Sequence, residues 1–286
     1  MREVYFESNQ EVISFCEHLF SCNQQMDVHW KTNKEWGNQV VIGDAFLKNE
    51  RLNIIAKAMV HVFVRHRLGF WIKKILKDYY YYRNTEEIES IHDIARWIFL
   101  GDDEDSIQIR NKKGDPSGML HSLFIANMKD SSSVHFDSVV KFRLKVFKDY
   151  LIHYVGLAID EFKQEENHQE FIQMLREYIR KKKPGFSTIH ILQGGSFHFF
   201  KDNGKLFTRN ELKKVMEREP LYILGLDENE WNLSPLIALA PQYIKIYGDN
   251  PSEPKTMTII NVFQEKVDFQ PATRFPFSNY YHNKTN

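Results

Sequence analysis

A chain of 286 residues, 42% of them apolar, is long enough to bury one large core or two ordinary ones. Lysine plus arginine equals aspartate plus glutamate at 38 each, which excludes a global field drawing the protein to nucleic acid or to an anionic membrane; any such attraction must be local. The only cysteines, Cys16 and Cys22, fall in one amphipathic segment without CxxC spacing or a second Cys/His pair, so no zinc framework is expected and both thiols read as reduced and buried.

In chain order, "VYF" alternates, "NQEVISFCEHLF" repeats apolar residues at helical spacing behind Ser8 or Asn9, and two extended runs, "DVHW" and "QVVIG", flank the turn-prone "KTNKEWGN". Residues 1–48 are therefore predicted to form a small β-α-β-β unit. Residues 49–105 read as a helical region. One helix covers 51–83 with a break or bend near Gly69, and a second starts after Asn84 and Thr85, where Glu86 and Glu87 suit a helix N-terminus, and stops at "LGDDED". Residues 106–135 mix Gly, Pro and Ser with one apolar patch, which predicts a connection carrying a short element and the best internal boundary.

Helical periodicity returns over 136–162 and again over 166–180, ending at Pro184 and Gly185. Beyond it the period becomes two. "STIHIL" and "SFHFF" flank Gly194 and Gly195, a turn falls at 202–204, and "RNELKKVMERE", "SPLIALA", "YIKIY", "MTIINVFQ" and "KVDF" read as helix, helix, strand, helix and strand. Residues 136–270 thus form a helical plus α/β region with a small sheet, and 271–286 read as a flexible tail. The fold class is α+β: a small N-terminal unit, a mostly helical centre and a C-terminal mixed α/β unit.

The runs "VVKFRLKVFKDYL", "AIDEF", "EFIQMLREYI", "IHIL", "SPLIALAPQYIKIY" and "NVFQEKV" resemble the YtxC-like family of sporulation-associated proteins across roughly residues 136–268, most specifically in "KFRLK" and "SPLIALAP". The resemblance implies an endospore-forming bacterium of the Bacillus or Clostridium type and a cytoplasmic protein linked to sporulation. It implies no reaction and transfers no catalytic or binding residue. Two features of the chain fit a cytoplasmic protein as well: the opening "MREVYFESNQ" has no signal-peptide pattern, and the longest charge-free apolar run, "AMVHVFV", is far short of the roughly 18 residues a membrane span needs.

No Ser elbow, HExxH helix or P-loop is present, so no catalytic residue, metal or cofactor is predicted. His92 adjoins Asp93, but neighbours on a helix diverge by about 100° and make a poor metal clamp. Asp102 to Asp105 read as a solvated helix C-terminus or a partner-facing patch.

Charge is more informative. Residues 51–83 carry eight Lys or Arg against Asp78, and residues 84–105 carry eight acids against Arg96, so the two helices could simply pack and neutralise. On a helical wheel Phe63, Arg67, Phe70, Lys74 and Lys77 share one strip, which could instead bind a partner protein, stack and neutralise nucleic acid, or lie on an anionic membrane. Arg180, Lys181, Lys182 and Lys183 form a second cationic cluster that a helix C-terminus also explains.

The tyrosines of "KDYYYYR" cannot share one helix face, so they must divide between exposed and buried contacts. In "VVKFRLKVFKDYLIHY", Lys141, Lys145 and Lys148 read as the wet seam of a buried helix whose apolar arc includes Phe142, Val146 and Tyr150. Arg143 falls inside that arc and is predicted to be a buried structural charge with a specific partner. The first functional reading is a non-enzymatic regulatory or scaffold protein that binds another protein; the alternative is a nucleic-acid-binding module using the basic and aromatic helix face, and an enzyme ranks third.

Overall fold

A computed structural model describes residues 2–22, 26–33, 35, 37–43, 48–110, 114–129, 131–227 and 229–277. The chain divides into two compact units, residues 1–164 and 165–286.

In the first unit, alternation makes β1 (Arg2–Phe6) two-faced: Arg2, Val4 and Phe6 are buried while Glu3 and Tyr5 are half-exposed. α1 (Asn9–Cys22) follows, burying Val12, Phe15 and Leu19, and β2 (Val28–Asn33) and β3 (Gly37–Ile42) complete the expected β-α-β-β order. α2 (Lys48–His66), α3 (Leu68–Asp78), α4 (Thr85–Leu100), α5 (Glu104–Arg110) and α6 (Pro116–Met128) come next, then β4 (Ser133–His135), α7 (Phe136–Phe142) and α8 (Lys145–Lys181). The sheet order is β2-β3-β1-β4, with β1 antiparallel to β3 and parallel to β4, so Val4 pairs with Val40 on one side and Val134 on the other. Arg2 anchors this edge by donating to the Met128 and Ser131 carbonyls.

Five departures from the sequence reading matter. The 51–83 helix breaks at Arg67, two residues before Gly69, and becomes α2 and α3. Gly69 instead permits close packing: a Cβ there would lie 3.0 Å from Nε2 of His92 on α4. Residues 106–135 are not a connection but supply α5, α6 and β4 to the first unit; Asp115 caps α6 through the Ser117 and Gly118 N–H groups, with Pro116 following it.

The 136–162 helix breaks at Arg143 and Leu144, whereas no break separates 162 from 166, and α8 runs unbroken through them. Glu104 and Asp105 begin α5, with Asp103 just before it, rather than trailing α4: the Asp103 carboxylate accepts from the Ser106 N–H, which holds its pKa down, and from Trp97 Nε1.

The core of this unit centres on Phe63, Trp71, Phe99, Phe147 and Tyr154, with Phe147 edge-on to Phe63 at 5.4 Å and to Phe99 at 6.0 Å. The tyrosine run divides by side: Tyr79 and Tyr81 are exposed, while Tyr80 packs inward and donates its hydroxyl to the Ile152 carbonyl at 3.0 Å.

In the second unit, β5 (Phe186–Leu192), β6 (His198–Lys201), α9 (Arg209–Met216), α10 (Ser234–Leu239), β7 (Pro241–Gly248), α11 (Pro254–Phe263) and β8 (Val267–Pro271) build a sheet of order β6-β5-β7-β8. β5, β7 and β8 are parallel and β6 is antiparallel to β5. One core holds Leu175 and Ile179 of α8, Leu212, Leu236 and Ile259; a smaller one holds Leu192, Phe200, Tyr247 and Phe275. The first part of the segment read as a tail therefore packs, since Phe275 is buried; residues 278–286 lie outside the described residues. No helix among the described residues is long and apolar enough to cross a membrane.

Candidate functional site

α3 buries Leu68, Ile72, Ile75 and Leu76, which leaves Phe70 and Lys74 outward; Phe70 is 64% exposed. The break after α7 has a comparable effect. It interrupts the helical phase, so Phe142 at the end of α7 and Val146 at the start of α8 stand 67% and 54% exposed instead of joining the core. Arg143 is exposed as well, correcting the expectation of a buried charge: the wheel that placed it in an apolar arc was drawn through a break. Lys141, Lys145 and Lys148 are exposed, as a wet seam requires, but the surface beside them is aromatic.

Between α3 and the α7–α8 junction lies a groove of about 790 Å³. Trp71, Ile75, Val140 and Leu144 give it an apolar lining, exposed Phe70 and Phe142 extend that surface, and Lys74, Lys141, Lys145 and Lys148 contribute four ammonium groups. Lys141 Nζ lies 5.3 Å from the centre of the Phe142 ring. Lys74 is 3.1 Å from Asp78, a pair more than half exposed on both sides and worth only a few tenths of a kcal/mol. Lys141, Lys145 and Lys148 form no ion pair with a described residue.

The remaining polar lining is a closed network. Arg67 Nε donates to Glu11 Oε1 at 2.5 Å, and Nη2 donates to Glu11 Oε2 at 3.0 Å and to Asp137 Oδ1 at 2.6 Å. The Glu7 N–H donates to Asp137 Oδ2 at 3.0 Å. The Glu11 side chain is 2% exposed and Arg67 33% exposed, and the hydrogen bond to Glu11 raises the guanidinium pKa further. Arg67 is thus committed to holding α1, the α2–α3 junction and α7 together. Glu11 and Asp137 were missed as its partners because no spacing rule links positions so far apart in the chain.

The predicted strip of five therefore divides. Arg67, Phe70 and Lys74 line the groove; Lys77 is exposed outside its lining; Phe63, on α2 before the break, is fully buried with its ring edge-on to Trp71 at 5.2 Å. The basic and acidic helices do pack, α3 against α4, and Lys73 Nζ bonds both oxygens of Glu89 at 2.7 Å. Lys74 lines the groove instead.

In the second unit, Arg180, Lys181 and Lys183 are exposed at the end of α8. Lys182 is half-buried, paired with Glu219 at 2.7 Å and donating to the Ala238 carbonyl at 2.9 Å, so it binds α8 to α10. Glu219, penalised by burial, is nonetheless held below the usual carboxylate range by hydrogen bonds from Lys182 and Tyr178. A hollow of about 770 Å³ beside β6 and α9 is lined in part by Arg209, stacked 5.0 Å above Trp231, and by Lys255. Glu230, which also lines it, accepts the N–H groups of Asn232, Leu233 and Ser234 and so fixes the turn that leads into α10.

A model of the YtxC-like family matches residues 53–268, which takes in every groove residue from α3, α7 and α8. The protein named "uncharacterized protein YtxC" of Bacillus subtilis (strain 168) is 25% identical over 297 residues, covering 96% of each chain. No solved structure matches.

Proposed function

The chain belongs to the YtxC-like family, and on that premise we propose that it is a cytoplasmic, sporulation-associated protein of an endospore-forming bacterium that works without catalysis, by docking another protein in the groove beside α3. The observation that carries the reading is the pairing of two exposed phenylalanines, Phe70 and Phe142, with four lysines around one apolar concavity. Aromatic side chains of this size are left in water at a cost, and contiguous apolar exposure rimmed by charge marks a binding surface.

The test is a photocrosslinking amino acid at position 142, introduced in sporulating cells. A discrete crosslinked protein, lost when Lys141→Glu and Lys145→Glu are added, is the expected result. No discrete crosslink at any stage of sporulation would overturn the proposal.

A further inference from the structure

We infer that the segment the groove takes is an acidic amphipathic helix, a statement that rests on the partner-protein reading above and adds the chemistry of the partner. Charge is the first argument. Arg67, Lys74, Lys141, Lys145 and Lys148 face Glu7 and Asp137, five cations against two carboxylates. Arg67, Glu11 and Asp137 are committed to one another as a network of net charge −1, and Lys74 is shared with exposed Asp78, so the charges that meet a ligand are chiefly Lys141, Lys145 and Lys148, with Lys74 in part, against Glu7.

Placement is the second argument. Lys74 stands on α3 and Lys141, Lys145 and Lys148 on α7 and α8, so both sets of elements that line the groove bring lysines as well as apolar side chains to it. A helix with apolar residues at i, i+3, i+4 and i+7 and carboxylates along both flanks matches that combination. An apolar ridge meets Trp71, Val140 and Leu144, and the flanking acids meet the lysines.

Shape and sign disfavour the other anionic occupants. A concavity of about 790 Å³ is of the size that encloses a few side chains, within the roughly 300–1,000 Å³ of small-ligand sites. A flat bilayer cannot follow the surface down to Trp71. A nucleic-acid backbone carries a phosphate at every step, so its path would meet Glu7 with like charge, whereas a peptide can set a neutral or basic side chain there. The fixed guanidinium that would read a phosphate bidentately, Arg67, is already bound to Glu11 and Asp137.

The experiment titrates the full-length protein against a fluorescein-labelled helix of roughly five turns with leucine at the anchor positions and glutamate on the flanks. Comparators are the same helix with lysine for glutamate, an oligo-dT strand and phosphatidylglycerol vesicles. The acidic helix should bind, weaken with added salt, and lose about tenfold or more in affinity with Lys141→Glu plus Lys145→Glu, or with Phe142→Ser. All three positions are exposed, and circular dichroism of each variant confirms that the fold is kept.

Equal binding of the acidic and basic helices, or no binding of the acidic helix at millimolar protein, overturns the inference, as does tighter binding of oligo-dT or vesicles that Lys145→Glu abolishes. If the acidic helix fails while the charge-sensitive crosslink at position 142 persists, the chemistry assigned here is wrong and the partner reading stands. If both fail, both are wrong.

Discussion

Replacing Arg67 with Met keeps the apolar stem of the side chain and removes the guanidinium with its charge. In the native protein Arg67 makes two contacts to a Glu11 side chain only 2% exposed and a third to Asp137 at 18% exposure. The substitution therefore strands one carboxylate in the core and leaves a second half-satisfied. Breaking one side of a buried pair costs about 3–5 kcal/mol, and because Arg67 is itself one-third exposed, water reaches the site and the cost should fall near 3 kcal/mol. Glu11→Leu leaves Arg67 with Asp137 and water and should cost about 1–2 kcal/mol. The double variant should cost less than the two single losses together, since no orphaned charge remains at Glu11. Urea unfolding read by hydrogen exchange in α1 and α3 isolates this unit from residues 165–286. A loss below about 1 kcal/mol for Arg67→Met, or single-variant losses that add within about 0.5 kcal/mol, would refute the network as the tie between α1, α3 and α7.

Phe147→Ala should cost about 3–5 kcal/mol, whereas Phe142→Ser, five residues away, should change stability by no more than about 0.5 kcal/mol; thermal melts of the two variants separate them. Burial pushes the Cys16 thiol up to about 11, so at pH 8 it stays protonated and slow toward Ellman's reagent, while exposed Cys22 reacts first. Cys22→Ser should abolish the fast phase, and a fast phase that survives would contradict the burial of Cys16. The hydrogen bond from Lys201, with those from Thr208, holds Glu211 down to about 2 from 4.5. A depressed carboxylate pKa stabilises the folded state above the unfolded value, so this contribution is present above pH 4.5 and fades as pH falls toward 2. Lys201→Met should raise the Glu211 titration midpoint measured by NMR. Thr208→Ala, which removes the hydroxyl half of the α9 capping box, should cost about 1 kcal/mol in denaturation experiments.

The β-α-β-β opening, the long basic helix, α4 and the alternating strands of the second unit were legible because each carries a period or a cap that acts over a few residues. β4 was not, since three residues with one inward side chain, Val134, contain no period to read. α6 was obscured by "PSGMLHSLFIANM", which is apolar on all sides and starts with Pro and Gly, although Asp115 before Pro116 was a helix start in plain view. The groove was half legible. Phe70, Arg67 and Lys74 of the strip line the groove, but Phe63 was carried along with them because the break falls at Arg67, where no breaker residue marks it. The opposite wall was misread for the same reason: nothing local at Arg143 and Leu144 announces that the helix stops, and a wheel drawn through the stop turned exposed Phe142 and Val146 inward.

The parallel pairing of β1 with β4 sets an order of events during synthesis. β1 leaves the ribosome well before Ser133–His135, and until that stretch emerges its outer edge lacks a partner and Arg2 lacks the Met128 and Ser131 carbonyls that receive it. At the usual pace of elongation, about 5–20 residues per second, the intervening chain takes on the order of ten seconds to appear. Throughout that interval the nascent protein carries an unguarded strand edge beside a half-built apolar face, the condition in which chaperones bind and neighbouring chains pair wrongly. The strand made earliest in this unit is thus among the last to be completed.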